Sequence, residues 1–360
     1  MAALVIPSIE SLVPYEGGKP IEELARELGV SDAVKLASNE NALGPSPLAL
    51  EAARSALGSA HRYPDGTCYR LRERIAAFHG VTAAEVLPGA GSNELLDLVV
   101  RTFATPEHHI VFGEPAFVVY RIAALSGGVP FTAVPLVNLV HDLPAMAAAV
   151  TPKTRVLFVA NPNNPTGTHV GKNAVERLLR EVPPEVIVVM DEAYFEYADA
   201  PDYPSSLELR HLRERLVVMR TFSKAYGLAA LRVGYAVAPA PIIDYMNRVR
   251  APFNVTTPAQ AAAIAALDDR AHVEKSVALN RKERARVVSG LETLGVKTAP
   301  TQANFVLADV GRPARPVYDA LLRRGVIVRP FASLPTSVRV TFGLPEENDR
   351  FLGSLGEVLA

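Results

Sequence analysis

The 360 residues suffice for two domains, or for one large α/β unit with an appended lobe. Hydrophobic residues at 49% and charged residues at 21% match an ordinary folded, water-soluble protein and exclude disordered and fibrous architectures. With 37 Lys and Arg against 38 Asp and Glu, the net charge is −1 and no basic stripe points to nucleic acid, so small molecules are the expected partners.

The first twenty residues lack a basic leader and are broken by Pro7, so no signal peptide is expected, and no run reaches the roughly 18 to 20 apolar residues of a membrane span. From about residue 85 to 240, short β-branched runs alternate with helical patterns, the signature of βαβ units on a parallel sheet. Strands are predicted over 109–112, 155–160, 185–190, 216–220 and 233–237, each closed by polar or Gly/Pro punctuation. Residues 258–294 carry two helical patterns, the first rich in Ala. A smaller α+β lobe follows, with strands at 304–308, 326–329 and 337–342 and a helix at 315–324. The lone Cys68 rules out an internal disulfide framework and a multi-cysteine zinc site, and suits a reducing compartment, so a cytoplasmic location is expected. No His falls in an HExxH spacing, and no metal is expected.

Ligands of open parallel sheets bind beyond the carboxyl ends of the strands, so the residues after each run are the place to look. Gly89-Ala-Gly-Ser-Asn-Glu94 precedes an apolar helix and offers the free N–H groups and positive dipole of a helix start, an anion site or a plain capped helix. It is neither GxGxxG nor a Walker loop, which removes support for NAD and ATP. Asn161-Pro-Asn-Asn-Pro-Thr-Gly167 is either an ordinary βα turn or a set of amides aimed at a ligand. Asp191 ends a strongly apolar strand, where a carboxylate either caps the next helix or meets a buried cation or protonated ring nitrogen. Tyr194 is close enough in sequence to share that site, and Glu192 is expected to point away. Lys224 follows a further strand, with Thr221 and Ser223 before it and Arg232 after it. Desolvated, such an amine becomes nucleophilic near neutral pH, and its neighbours suit a phosphorylated aldehyde held as a Schiff base.

With these motifs in this order, the chain resembles the fold-type-I, pyridoxal-phosphate-dependent aminotransferases, and within them the histidinol-phosphate aminotransferase family. The resemblance spans nearly the whole chain, through VPYEGGKPIEEL (13–24), LASNENALGPSP (36–47), RYPDG (62–66), the four motifs above and VRVTFG (338–343). It implies a large three-layer α/β domain with a mostly parallel sheet (31–257), a smaller α+β domain (258–360, with linking helices), and an N-terminal arm (1–30) packing near the active site and small lobe. The implied cofactor is pyridoxal 5'-phosphate. Lys224 would form its internal aldimine and shuttle the substrate proton, and Asp191 would pair with the pyridinium nitrogen. Asn164 and Tyr194 would bind the ring hydroxyl, Phe117 would stack on the ring, and Gly91, Ser92, Ser223, Arg232 and Thr221 would hold the phosphate. Tyr63 would reach the phosphate of a neighbouring subunit, implying a homodimer with shared sites. Arg339 would bind the substrate anion, Arg329, Tyr15 and Asn39 would line the substrate pocket, and Phe253, like Tyr63, would serve the pocket of the neighbouring subunit.

Two positions depart from the family pattern: Ala230 replaces a usual glycine before Leu231-Arg232, and Phe331–Ser337 is short for the loop between the two substrate arginines. The expected reaction is a ping-pong transfer between histidinol phosphate and 2-oxoglutarate. An aromatic amino acid aminotransferase, a phosphothreonine-type decarboxylase and a catalytically silent binding protein are the alternatives.

Overall fold

The structure is a computed structural model that describes residues 4–5, 7–10, 12–14, 17–30 and 32–360. A short strand β1 (Val34–Lys35) precedes seven strands that form the large sheet: β2 (Val86–Gly89), β3 (His109–Glu114), β4 (Phe131–Pro135), β5 (Thr154–Ala160), β6 (Ile187–Asp191), β7 (Leu216–Thr221) and β8 (Gly234–Val237). Their order across the sheet is β2-β8-β7-β6-β5-β3-β4. The run β4-β3-β5-β6-β7 is parallel throughout, and β8 lies antiparallel between β7 and β2. The sheet is therefore mostly parallel, as expected, with β8 as its one reversed strand.

The central strands are apolar without alternation because helices cover both faces. Val156, Phe158, Val189, Val217 and Met219 face the helices Ser92–Phe103 and Ala240–Val249, while Leu157, Val159, Val188, Met190 and Val218 face Leu143–Ala148 and Lys172–Glu181. Each fully buried Val or Leu contributes roughly 1.5 to 3 kcal/mol. The strand ends are thus fixed by a core closed on two sides.

The Ala-rich helix Thr257–Asp268, capped by the Thr256 hydroxyl, packs its small side chains on the helices Pro47–Ala56 and Tyr69–His79 beside the large sheet. The 24-residue helix Arg270–Thr293 then leads into β9 (Lys297–Thr298), β10 (Phe305–Asp309), β11 (Val326–Ile327), β12 (Arg329–Phe331) and β13 (Leu334–Thr341). Strands β12-β13-β10-β9 form an antiparallel sheet covered by Ala314–Arg323 and Pro345–Leu359. The single strand predicted over 326–329 is in fact divided. Val326 and Ile327 pair in parallel with Val34 and Lys35, and Arg329 starts a new strand in the other sheet.

In the N-terminal segment, Leu24 packs against Leu322 and Ile327 of the smaller lobe. Val13 and Pro14 line a cavity beside the large sheet.

Candidate active site

Beyond the carboxyl ends of the parallel strands lies a pocket of about 190 Å³. Five loops and a helix start meet there because β2, β3, β5, β6 and β7 all end on this edge and the antiparallel β8 begins on it.

The turn after β2 gives one wall. Gly91 caps the helix Ser92–Phe103 at φ 78° and ψ 168°, a conformation essentially reserved for glycine. A Cβ there would come within 2.5 Å of the Arg232 guanidinium. The same glycine thus brings the open amide end of the helix and the arginine together, two attractions for one anion. Thr221, Ser223 and Ser92 add hydroxyl-bearing side chains to this wall. Arg232 Nη1 is bound by the Ala229 carbonyl at 2.9 Å and lies 3.5 Å from Ser223 Oγ. Ala230 is exposed in the tight turn before Arg232, so its departure from glycine falls on the surface.

Asp191 ends β6 and is buried in the pocket floor. It caps no helix: the Tyr120 phenol donates to Oδ2 at 2.8 Å, while Oδ1 has no hydrogen-bond partner of good geometry among the described residues. Burial pushes its carboxyl up to about 6, opposed by the Tyr120 phenol and the Ala193 amide. Its neighbour Glu192 points the other way, as expected, into a buried ion pair with Arg220 at 2.8 Å. Adjacent carboxylates therefore differ in kind: Glu192 is neutralised by the chain itself, and Asp191 is left one acceptor short of a partner.

Lys224 follows β7, and its ammonium donates to the Ser38 carbonyl at 3.2 Å. Burial lowers it to about 7, helped by the nearby positive charge of Arg339. Near neutral pH a large share of this amine is unprotonated and able to attack a carbonyl. Its nitrogen lies 5.7 Å from the centre of the Tyr194 ring, whose hydroxyl accepts from Asn39 Nδ2 at 2.9 Å.

The Asn-rich turn divides its labour. Asn161 exchanges two bonds with Val170, and Asn163 holds Pro115 and Thr166, so both shape the loop. Asn164 faces the pocket, with its Oδ1 accepting from Arg339 Nη1 at 2.5 Å. Its Nδ2 is thereby left for a pocket occupant. Arg339 Nη2 donates to the Ala37 carbonyl at 2.6 Å, and Phe117 forms a further wall.

The structure brings together Asn39, Gly91, Ser92, Phe117, Asn164, Asp191, Tyr194, Thr221, Ser223, Lys224, Arg232 and Arg339. It does not bring in three others. Arg329 lies in an adjoining cavity, held by the Gly17 carbonyl. It stands opposite Arg339 in the β12–β13 hairpin, whose turn is only residues 332–333. Tyr63 and Phe253 stack on each other at 4.6 Å, away from the pocket, with Tyr63 82% exposed. Tyr15 lies outside the described residues. The sequence reading missed Tyr120, although it closes the motif that contains Phe117. It lies in the first turn of the helix Val119–Ser126, three residues after Phe117, and its phenol reaches Asp191.

Residues 31–355 match the family model for aminotransferase class I and II. The chain is 53% identical to histidinol-phosphate aminotransferase 2 of Pseudomonas aeruginosa, over 99% of this chain and 98% of that protein. It is 49% identical to the histidinol-phosphate aminotransferase of Anaeromyxobacter sp., over 99% of both chains. Among solved structures, the histidinol-phosphate aminotransferase of Sinorhizobium meliloti in complex with pyridoxal-5'-phosphate superposes with a TM-score of 0.91 at 28% identity, covering 100% of this chain and 98% of that one. The chain belongs to the class I and II aminotransferases, and within them to the histidinol-phosphate aminotransferase family.

Proposed function

We propose that this enzyme is a pyridoxal-phosphate-dependent aminotransferase that moves an amino group between histidinol phosphate and 2-oxoglutarate in a ping-pong cycle. The observation that carries the reading is the pocket floor: a buried carboxylate with one unpartnered oxygen beside a lysine lowered to about 7. The pocket fits the cofactor on its own chemistry. Asp191 Oδ1 would accept from a protonated ring nitrogen, and the helix start at Ser92, with Thr221, Ser223 and Arg232, would hold a phosphate. Asn164 and Tyr194 would bind the ring hydroxyl, and Phe117 would cover a ring face. When bound, the cofactor supplies an electron sink for negative charge at the substrate Cα.

Lys224 does the proton work. As a neutral amine it takes the proton from the substrate Cα and returns one in the reverse half-cycle. Asp191 would be held ionised by a protonated ring nitrogen, Tyr120 fixes the rotamer of Asp191, and Asn39 orients the Tyr194 hydroxyl. Arg339 binds the substrate anion, with Asn164 and Ala37 holding its guanidinium in plane.

A homodimer and a cytoplasmic setting belong to the same proposal. The exposed Tyr63–Phe253 stack supports the first, as an aromatic shelf open to a second copy. The single buried, unbonded Cys68 suits the second. An aromatic amino acid aminotransferase is the second reading, favoured by the apolar rings of Phe112 and Phe331 in the adjoining cavity. The loaded enzyme, given histidinol phosphate and 2-oxoglutarate, is expected to form glutamate. Absence of glutamate, or carbon dioxide release without an oxo acid, overturns the proposal.

A further inference from the structure

The cavity beside the pocket, about 450 Å³, shares Phe117, Asn164 and Arg339 with it, while Lys224 lines only the pocket. A substrate reacting at Lys224 with its anion on Arg339 has this space for its side chain. The aromatic walls are Phe112, Phe117 and Phe331, the last with the guanidinium groups of both Arg329 and Arg339 within 6 Å of its ring centre. Such walls suit the faces of a flat ring. One wall differs in kind. Glu114, at the end of β3, and Arg121, on the following helix, form an ion pair that lines the same space.

The geometry of that pair leaves it open on one side. Both Glu114 oxygens accept from the single Arg121 Nη2 at 2.6 Å, while the Arg121 guanidinium rests on the Phe131 ring at 4.9 Å. A carboxylate has about four acceptor positions, so a single nitrogen does not exhaust it. The two side chains remain 43% and 38% exposed, accessible to an occupant of the cavity.

We infer that Glu114 is a specificity-determining residue, whose carboxylate accepts a hydrogen bond from the ring N–H of a nitrogen heteroaromatic side chain and so selects imidazole over phenyl. This rests on the proposed reaction with histidinol phosphate. A phenyl ring meets the same aromatic walls but strips water from Glu114 and returns no donor. An imidazole returns one, in a bond that the ionised carboxylate makes charge-assisted. Fully buried polar sites discriminate by about 10⁴ to 10⁵, and a half-exposed acceptor is worth less.

The test compares kcat/KM for histidinol phosphate and for phenylalanine in the holoenzyme, wild type against Glu114→Gln and Glu114→Leu. The ratio is expected to fall by roughly 10- to 100-fold in Glu114→Leu and by less in Glu114→Gln, which keeps an acceptor of the same shape. A merely structural role for Glu114 would lower both substrates alike and leave their ratio unchanged, and that result overturns the inference. Wild-type preference for histidinol phosphate with an unchanged ratio in Glu114→Leu also overturns it while sparing the proposed function. Turnover of phenylalanine and not of histidinol phosphate overturns both.

Discussion

At the pocket floor, Asn164, Asp191 and Lys224 follow or end three adjacent parallel strands. The outer cavity is assembled from the N-terminal arm, the end of β3 and the β12–β13 hairpin of the smaller lobe. The floor inherits its precision from the core, since each of those strands is buried on both faces and cannot shift alone. Segments separated by more than 300 residues build the outer cavity, and side-chain contacts such as Arg329 to Gly17 tie them together. The contrast separates chemistry from selection: the floor is suited to hold and activate, and the outer cavity to distinguish substrates.

Substitutions in the two regions should therefore fail differently, and the largest effect belongs to the floor. Lys224→Ala is expected to lower multiple-turnover transamination by at least about 10⁴-fold in steady-state assays, because it removes the group that moves the Cα proton. Retained turnover would break the contrast at once. Asp191→Asn should lower kcat by roughly 10² to 10³, the scale of losing one preorganised electrostatic partner. The same variant has a signature in stability. The Asp191 carboxyl is raised to about 6 in the fold, so its protonated form is favoured there and stability is lost as pH rises through 6. Without cofactor, Asp191→Asn should be more stable to unfolding than wild type at pH 8 by about 1 to 3 kcal/mol, with the gap closing toward pH 4.

Arg329→Leu probes the outer cavity. It should raise KM for histidinol phosphate by about 10-fold while changing kcat less, the pattern of lost uniform binding. Equal losses in both constants would move Arg329 into the chemistry. The smallest effect is expected of Gly91→Ala, which strains the turn and presses on Arg232, at about 1 to 3 kcal/mol in thermal unfolding with weaker cofactor retention.

The floor was legible because strand ends follow a rule. Apolar β-branched runs mark the buried strands, and the first polar residues after them fall on one edge whatever the loops do, which located Asn164, Asp191 and Lys224. Less was legible where partners come from afar. Strands β2 and β4 are short and end at Pro88-Gly89 and Pro135, so they carry no clear strand pattern, and the antiparallel setting of β8 depends on pairing rather than composition. The split at Val328 also lies in pairing, since 326–329 reads as one short strand but its two ends join different sheets. The pairing of Glu114 with Arg121 is hidden for a similar reason: six residues and a turn lie between them, and only the fold of the 115–120 segment brings them together.

The most direct test of the central claim is a single half-reaction. Enzyme loaded with pyridoxal phosphate is mixed with histidinol phosphate, or separately with phenylalanine, and the visible absorbance of the bound cofactor is followed by stopped flow. Fast bleaching with histidinol phosphate and slow bleaching with phenylalanine is the predicted result. Bleaching with phenylalanine alone, or with neither, would contradict the account.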